Sequence, residues 1–149
     1  SSDMSSDRIQ NYAPLCKWRP IFEIPDVTFI NLQYKDFEND ITMFQKEFKV
    51  KIHNFGDLDH YNNIEDVAAL CCALDIVVSV KMTVPLISAG VGTKTKLVNW
   101  RQSPWSNVLL NPSSSSVKIF ERNTWESWED TFQLVAEDIF NEFHKKLKT

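Results

Sequence analysis

The chain has 149 residues, 43% of them hydrophobic and 12% aromatic, enough for one domain of ordinary size with a packed core. Its net charge is −4 with both signs interspersed and no basic stripe, which argues against duplex nucleic acid as a partner. No apolar run approaches the length of a membrane span, and the polar opening Ser1-Ser2-Asp3-Met4-Ser5-Ser6-Asp7 lacks the apolar core of a signal peptide.

Residues 1–13 read as an arm and residues 14–149 as one α/β domain. From Pro14 to Glu23, Leu15, Trp18, Ile21 and Phe22 fall on one helical face. Pro25 ends this helix, and Pro20 predicts a kink or a helix in two pieces. Val27 to Leu32 reads as a strand. Phe37, Ile41, Phe44 and Phe48 are spaced for an amphipathic helix over residues 37–49, and Val50 to Phe55 reads as a second strand. After a polar, acidic loop, Asn63 caps a helix over residues 64–74, with Glu65 and Asp66 in the first turn where the helix dipole favours them.

The β-branched run Ile76 to Val80 then predicts a strand buried on both faces. A polar break, Lys81-Met82-Thr83, leads into a short helix over residues 84–91, closed by Gly92. Thr83 is expected as its cap and Pro85 in its first turn. Lys96 to Trp100 and Val117 to Phe120 read as further strands, separated by a long polar loop with a serine run. Thr124 is expected to cap the last helix, from Trp125 to about residue 147, with Trp128, Phe132, Val135, Ile139 and Phe143 on one face. Strands alternating with helices call for a mostly parallel sheet covered on both faces, a Rossmann-like architecture.

Cys16, Cys71 and Cys72 are an odd number and two are adjacent, so no disulfide framework is expected. Cys71 and Cys72 sit in an apolar helical pattern and read as buried thiols in a reducing cytoplasm. No Cys/His cluster has zinc spacing, and the Asp57-Leu58-Asp59-His60 loop reads as solvated surface rather than a metal site. In parallel sheets, ligands bind outside the carboxyl ends of the strands. Those ends carry Asn31, Gln33, Tyr34 and Lys35; Asn54, Asp57 and Asp59; Lys81, Met82 and Thr83; and Asn99, Trp100, Arg101 and Gln102. This edge suits a charged ligand with a ring, such as a nucleotide, and a helix starting after the third strand offers N–H groups to a phosphate. It carries no nucleophile–base pair. Trp100, Trp105, Trp125 and Trp128 read as core or loop-anchoring residues, with Trp105 also a candidate for stacking on a base. The chain enters a helix directly, whereas such half-domains normally open with a strand. It is therefore expected to be the C-terminal piece of a longer protein.

Several separated stretches resemble one family. They are Trp18-Arg19-Pro20-Ile21 to Pro25 with Val27 to Tyr34, then Asn63 to Val80 (NIEDVAALCCALDIVVSV), Ser103-Pro104-Trp105, and Val117 to Arg122 followed by Trp125. In this order they resemble the C-terminal half of bacterial GT-B glycosyltransferases. The likeness is to heptosyltransferase-like domains found behind tetratricopeptide repeats, distantly similar to O-linked N-acetylglucosamine transferases.

The resemblance implies a metal-independent half-domain that binds a nucleotide-sugar donor, such as a UDP-, GDP- or ADP-sugar, and no other cofactor. The diphosphate would sit at Met82, Thr83 and Val84. Gln33 and Lys35 match donor-contacting positions, and Arg8 matches an arginine near the start of the half-domain. The acceptor, a glycan or protein, would be held by an N-terminal domain outside this chain, which normally supplies the catalytic base; the chain alone is expected to be inactive. The protein is expected in the cytoplasm, extending to the inner face of the membrane. Two positions depart from the family pattern: Lys81 replaces a common acid and Leu86 a common histidine. Lys81 would meet the donor's phosphates, since an ammonium suits that charge. The alternative is a non-catalytic binding or assembly module of the same fold.

Overall fold

In a computed structural model, residues 13–33, 38–60, 62–100, 116–123 and 125–146 are described. A 3₁₀ turn over Leu15–Trp18 runs into α1 (Arg19–Phe22), so the helix predicted around Pro20 does come in two pieces. Then follow β1 (Phe29–Ile30), α2 (Glu38–Phe48), β2 (Ile52–His53), α3 (Ile64–Ala73), β3 (Ile76–Val80), α4 (Val84–Gly90), β4 (Lys94–Trp100), β5 (Val117–Arg122) and α5 (Trp128–Lys146). Among the described residues all pairings are parallel: β1 lies beside β2, and β3-β4-β5 run in that order. The fold is α/β, with parallel strands flanked by helices.

The two faces of β3 separate two cores. Val80 and Val98 join Phe132, Val135, Ala136 and Ile139 of α5, with Ile21 from α1. On the other face, Val77 packs on Val67 and Cys71 of α3, with Val84 and Ile87 of α4 against them. Residues around β1 enter both: Phe29 packs on the α5 side and Leu32 on the α3 side. β1 and β2 form one two-stranded sheet, and β3, β4 and β5 form a separate three-stranded one.

Several expectations are corrected. The strands around β1 and β2 shrink to a two-residue ladder, because the Ile52 N–H is taken by Gln45 Oε1 at 3.1 Å rather than by a neighbouring strand. β4 begins two residues before Lys96, and β5 extends to Arg122. The last helix begins at Trp128. Asn123 and Glu126 close a turn on each other, with Asn123 N–H donating to Glu126 Oε2 at 2.8 Å, and Ser127 Oγ accepts from the Glu129 N–H at 3.1 Å. Ser127 therefore caps the helix; Thr124, the expected cap, lies outside the described residues. Trp125 is 81% exposed and anchors nothing in the core. Cys72 is exposed while Cys71 is buried, since adjacent helix positions point about 100° apart.

Lys49, directly after α2, has φ +55, a left-handed conformation that favours glycine. Lys49→Gly is expected to raise stability by about 0.5–1 kcal/mol, read as a higher thermal midpoint.

Candidate functional site

Leu32, just after β1, and Val84, just after β3, pack against the same Val67–Cys71–Val77 cluster. Ligands of parallel sheets bind outside such carboxyl ends. The exits of β1 and β2 carry an amide cluster. Asn31, only 8% exposed, receives the end of the β1–β2 ladder: its N–H donates to His53 O at 2.8 Å. Its side chain is fully engaged. Asn31 Nδ2 donates to Gln33 O at 3.3 Å and to Asn54 Oδ1 at 3.1 Å, and Asn31 Oδ1 accepts from the Gln33 N–H at 3.1 Å. These bonds tie the exits of β1 and β2 together and hold Gln33 at the surface, where it is exposed.

The exit of β3 carries Lys81, Met82 and Thr83. Lys81 is half-buried, Met82 is 45% exposed and Thr83 is exposed. The expected cap is not made. Thr83 already has helical dihedrals (φ −72, ψ −35) and its side chain makes no capping bond. The reason lies in the sequence: Pro85 has no N–H, and the Leu86 N–H is taken by Thr83 O at 3.0 Å, so a Thr83 hydroxyl would find no donor at either usual position. The same facts thin the expected phosphate seat. α4 has seven residues, and its first turn offers at most the N–H groups of Thr83 and Val84. The Val84 side chain packs into the α3 core, so only its main chain faces the edge. Leu86 is half-buried.

At the exit of β5, Arg122 is 5% exposed, with its guanidinium 4.1 Å from the Trp128 ring centroid. Its Nη1 donates to Asn123 O at 3.0 Å and Glu126 O at 2.7 Å. Burial pulls its pKa down, and nearby Glu126 opposes that. This arginine fastens the β5–α5 connection and is not displayed to a ligand. His60 differs from the expected solvated loop, because both its ring nitrogens are buried without a hydrogen-bond partner.

The structure therefore places Gln33 at the exit of β1, and Lys81, Met82, Thr83 and the Val84 main chain at the exit of β3. Arg8, Lys35 and Trp105 lie outside the described residues. The sequence names Asn31 and Asn54 at strand exits but gives no sign that they pair or of what the pair does.

Among the described residues no group of three His, Cys, Asp or Glu side chains is placed to hold a metal, and no helix is long and apolar enough to cross a membrane. A small recess of about 10 Å³, lined by Asp75, Ile76, Lys94, Glu142 and Phe143, lies at the opposite, amino ends of β3 and β4 and has room for a water at most.

Over 138 residues, 91% of its length, the chain is 30% identical to Protein FlbA of Caulobacter vibrioides. It spans 23% of that protein. No protein-family model and no solved structure matches it.

Proposed function

We propose that this chain is the donor-binding half of a glycosyltransferase, holding a nucleotide-diphosphate sugar at the exits of β1 and β3. The observation that carries this reading is the set of polar, partly exposed groups Gln33, Lys81 and Thr83 at the carboxyl exits of the parallel strands β1 and β3. The resemblance in the stretches around these residues supports it. Thr83 adds to it, since a hydroxyl not spent on a helix cap is left for a ligand oxygen. In this reading the sugar leaves its nucleoside diphosphate in an in-line displacement. Thr83, Lys35 and Lys81 stabilise the charge that develops on the diphosphate, in a metal-independent reaction. A separate acceptor-binding domain, associated with tetratricopeptide repeats, brings a glycan or protein acceptor and the base, in the cytoplasm or at the inner face of the membrane.

Titration calorimetry with UDP, GDP, ADP and CMP tests it. One nucleoside diphosphate is expected to bind in the micromolar to millimolar range, and Thr83→Ala and Lys35→Ala each to weaken it about tenfold. A folded chain that binds none of the four contradicts the proposal.

A second reading, a binding or assembly module without turnover, is favoured by Leu86 and Lys81, which stand where the resembled family carries a histidine and an acid. Nucleotide binding without sugar transfer by the full-length protein would select it.

A further inference from the structure

We infer that Asn54 is a donor-side contact to the ligand's diphosphate, and that Asn31 is the positioning residue that fixes its polarity; this rests on the nucleotide-binding reading above. An asparagine amide can in principle face either way, with oxygen and nitrogen exchanged. Here the main chain decides. Gln33 O can only accept and the Gln33 N–H can only donate, and both bond to the Asn31 side chain, at 3.3 and 3.1 Å. Asn31 must therefore turn its Nδ2 toward Gln33 O and its Oδ1 toward the Gln33 N–H. That same Nδ2 also meets Asn54, at 3.1 Å, so Asn54 must turn its oxygen inward. The Asn54 amino group is consequently directed away from Asn31, on a residue that is exposed at the carboxyl edge.

The result is a pair of N–H donors held in one orientation by a chain of bonds that ends on main-chain groups. A sugar hydroxyl donates as readily as it accepts and has no need of a group locked as a donor. An oxyanion only accepts, and it is the ligand that such a lock selects. Burial supports the assignment of Asn31: an amide at 8% exposure is costly unless every bond is made, and all of its bonds are turned to the Asn54 and Gln33 geometry.

The test compares wild-type chain, Asn54→Asp and Asn31→Asp in calorimetric titrations with UDP, GDP and ADP and with the matching nucleosides. Asn54→Asp replaces the outward donor by an acceptor. Asn31→Asp still accepts from the Gln33 N–H but no longer donates to Asn54, so Asn54 reverses and presents its oxygen. Both variants are expected to lose tenfold or more in affinity for the diphosphate that wild type binds, with nucleoside affinity within twofold and the thermal midpoint of Asn54→Asp unchanged. Asn54→Ser, which keeps a donor, is expected to recover part of the loss. Unchanged diphosphate affinity in Asn54→Asp overturns the inference while leaving nucleotide binding standing. Equal losses for diphosphate and nucleoside also overturn it, by showing a general structural effect. Absence of any nucleotide binding by wild type removes the reading on which it rests.

Discussion

Replacing Lys96 by Met is expected to lower stability by about 2–3 kcal/mol at pH 7, and the deficit is expected to shrink as the pH falls. Lys96 lies on β4 with its side chain 3% exposed, against two carboxylates of α5. It donates to Asp138 Oδ2 at 2.7 Å and makes a short bond to Glu142 Oε1. Lys118 also reaches Asp138, and Lys94 reaches Glu142 at 3.0 Å. This network is the polar half of the α5–sheet contact. Met keeps the apolar stem and removes the charge. Two carboxylates then face each other across a partly desolvated space. Breaking a buried pair costs about 3–5 kcal/mol; the remaining lysines and the 19% and 32% exposure of the carboxylates reduce it to the lower figure.

The pH dependence follows from the direction of each shift. Burial alone pulls Lys96 down, but its hydrogen bonds and charge contacts with Asp138 and Glu142 outweigh this and hold it above its ordinary 10.5. A raised lysine contributes stability that is complete below 10.5 and is lost only as the pH rises through the folded value. Burial alone likewise pushes Asp138 and Glu142 up, and the lysines outweigh it, so both lie below their ordinary 3.8 and 4.5. Depressed carboxylates contribute stability that is present above those ordinary values and is lost as the pH falls through the folded ones. Wild type should therefore weaken below about pH 4 through this cluster. In Lys96→Met the carboxylates lose the share of that depression that Lys96 supplies, while Lys118 and Lys94 keep theirs, so acid protonates them earlier than in wild type and relieves their repulsion. Urea melts at pH 7 and pH 3.5 check it; a deficit that stays constant or widens on acidification would show that the cluster is not what Met disrupts.

Lys96 also shows where sequence reading stops. Nothing in Lys94-Thr95 announces the start of the strand and nothing in Lys96 announces its burial, because Thr95 and Lys96 are buried only through partners elsewhere: Thr95 meets Ser88, and Lys96 meets carboxylates more than forty residues on. By contrast, β3 is legible to the residue, since a β-branched run needs no distant partner to explain its burial. Asn63 is legible for a similar reason. The cap and its donor, the Asp66 N–H at 3.2 Å, lie within one turn, and Pro14 to Phe22 betrays its break through Pro20 alone. The candidate site divides the same way. Which residues stand at strand exits follows from strand order along the chain, so Gln33, Lys81, Met82 and Thr83 are found. Their roles depend on contacts across the edge. Thr83 loses its capping role to the missing N–H of Pro85, and the Asn31–Asn54 polarity is fixed by a bond between residues 23 apart.

Phe132→Ala is expected to cost about 3–5 kcal/mol, whereas Leu134→Ala two positions along is expected to cost less than about 0.5 kcal/mol. The contrast follows from the helical period. Phe132, Val135 and Ile139 fall on the stripe of α5 that faces the sheet and are 0%, 0% and 4% exposed, while Leu134 is turned outward at 58%. Phe132 is also the point where three elements converge. Its ring lies 4.3 Å from Trp18 of the 3₁₀ turn and 6.0 Å from Trp128, which carries Arg122 on its own face. Removing the phenyl opens a cavity that neither indole can close, because Trp128 is held by Arg122 and Trp18 by the chain entering α1. The damage therefore reaches the β5 exit and the start of the domain together. Urea midpoints of the two variants measure the contrast. Limited proteolysis near Trp18 gives a second readout, expected to quicken in Phe132→Ala and not in Leu134→Ala. Equal costs for the two substitutions would mean that α5 presents a different face to the sheet.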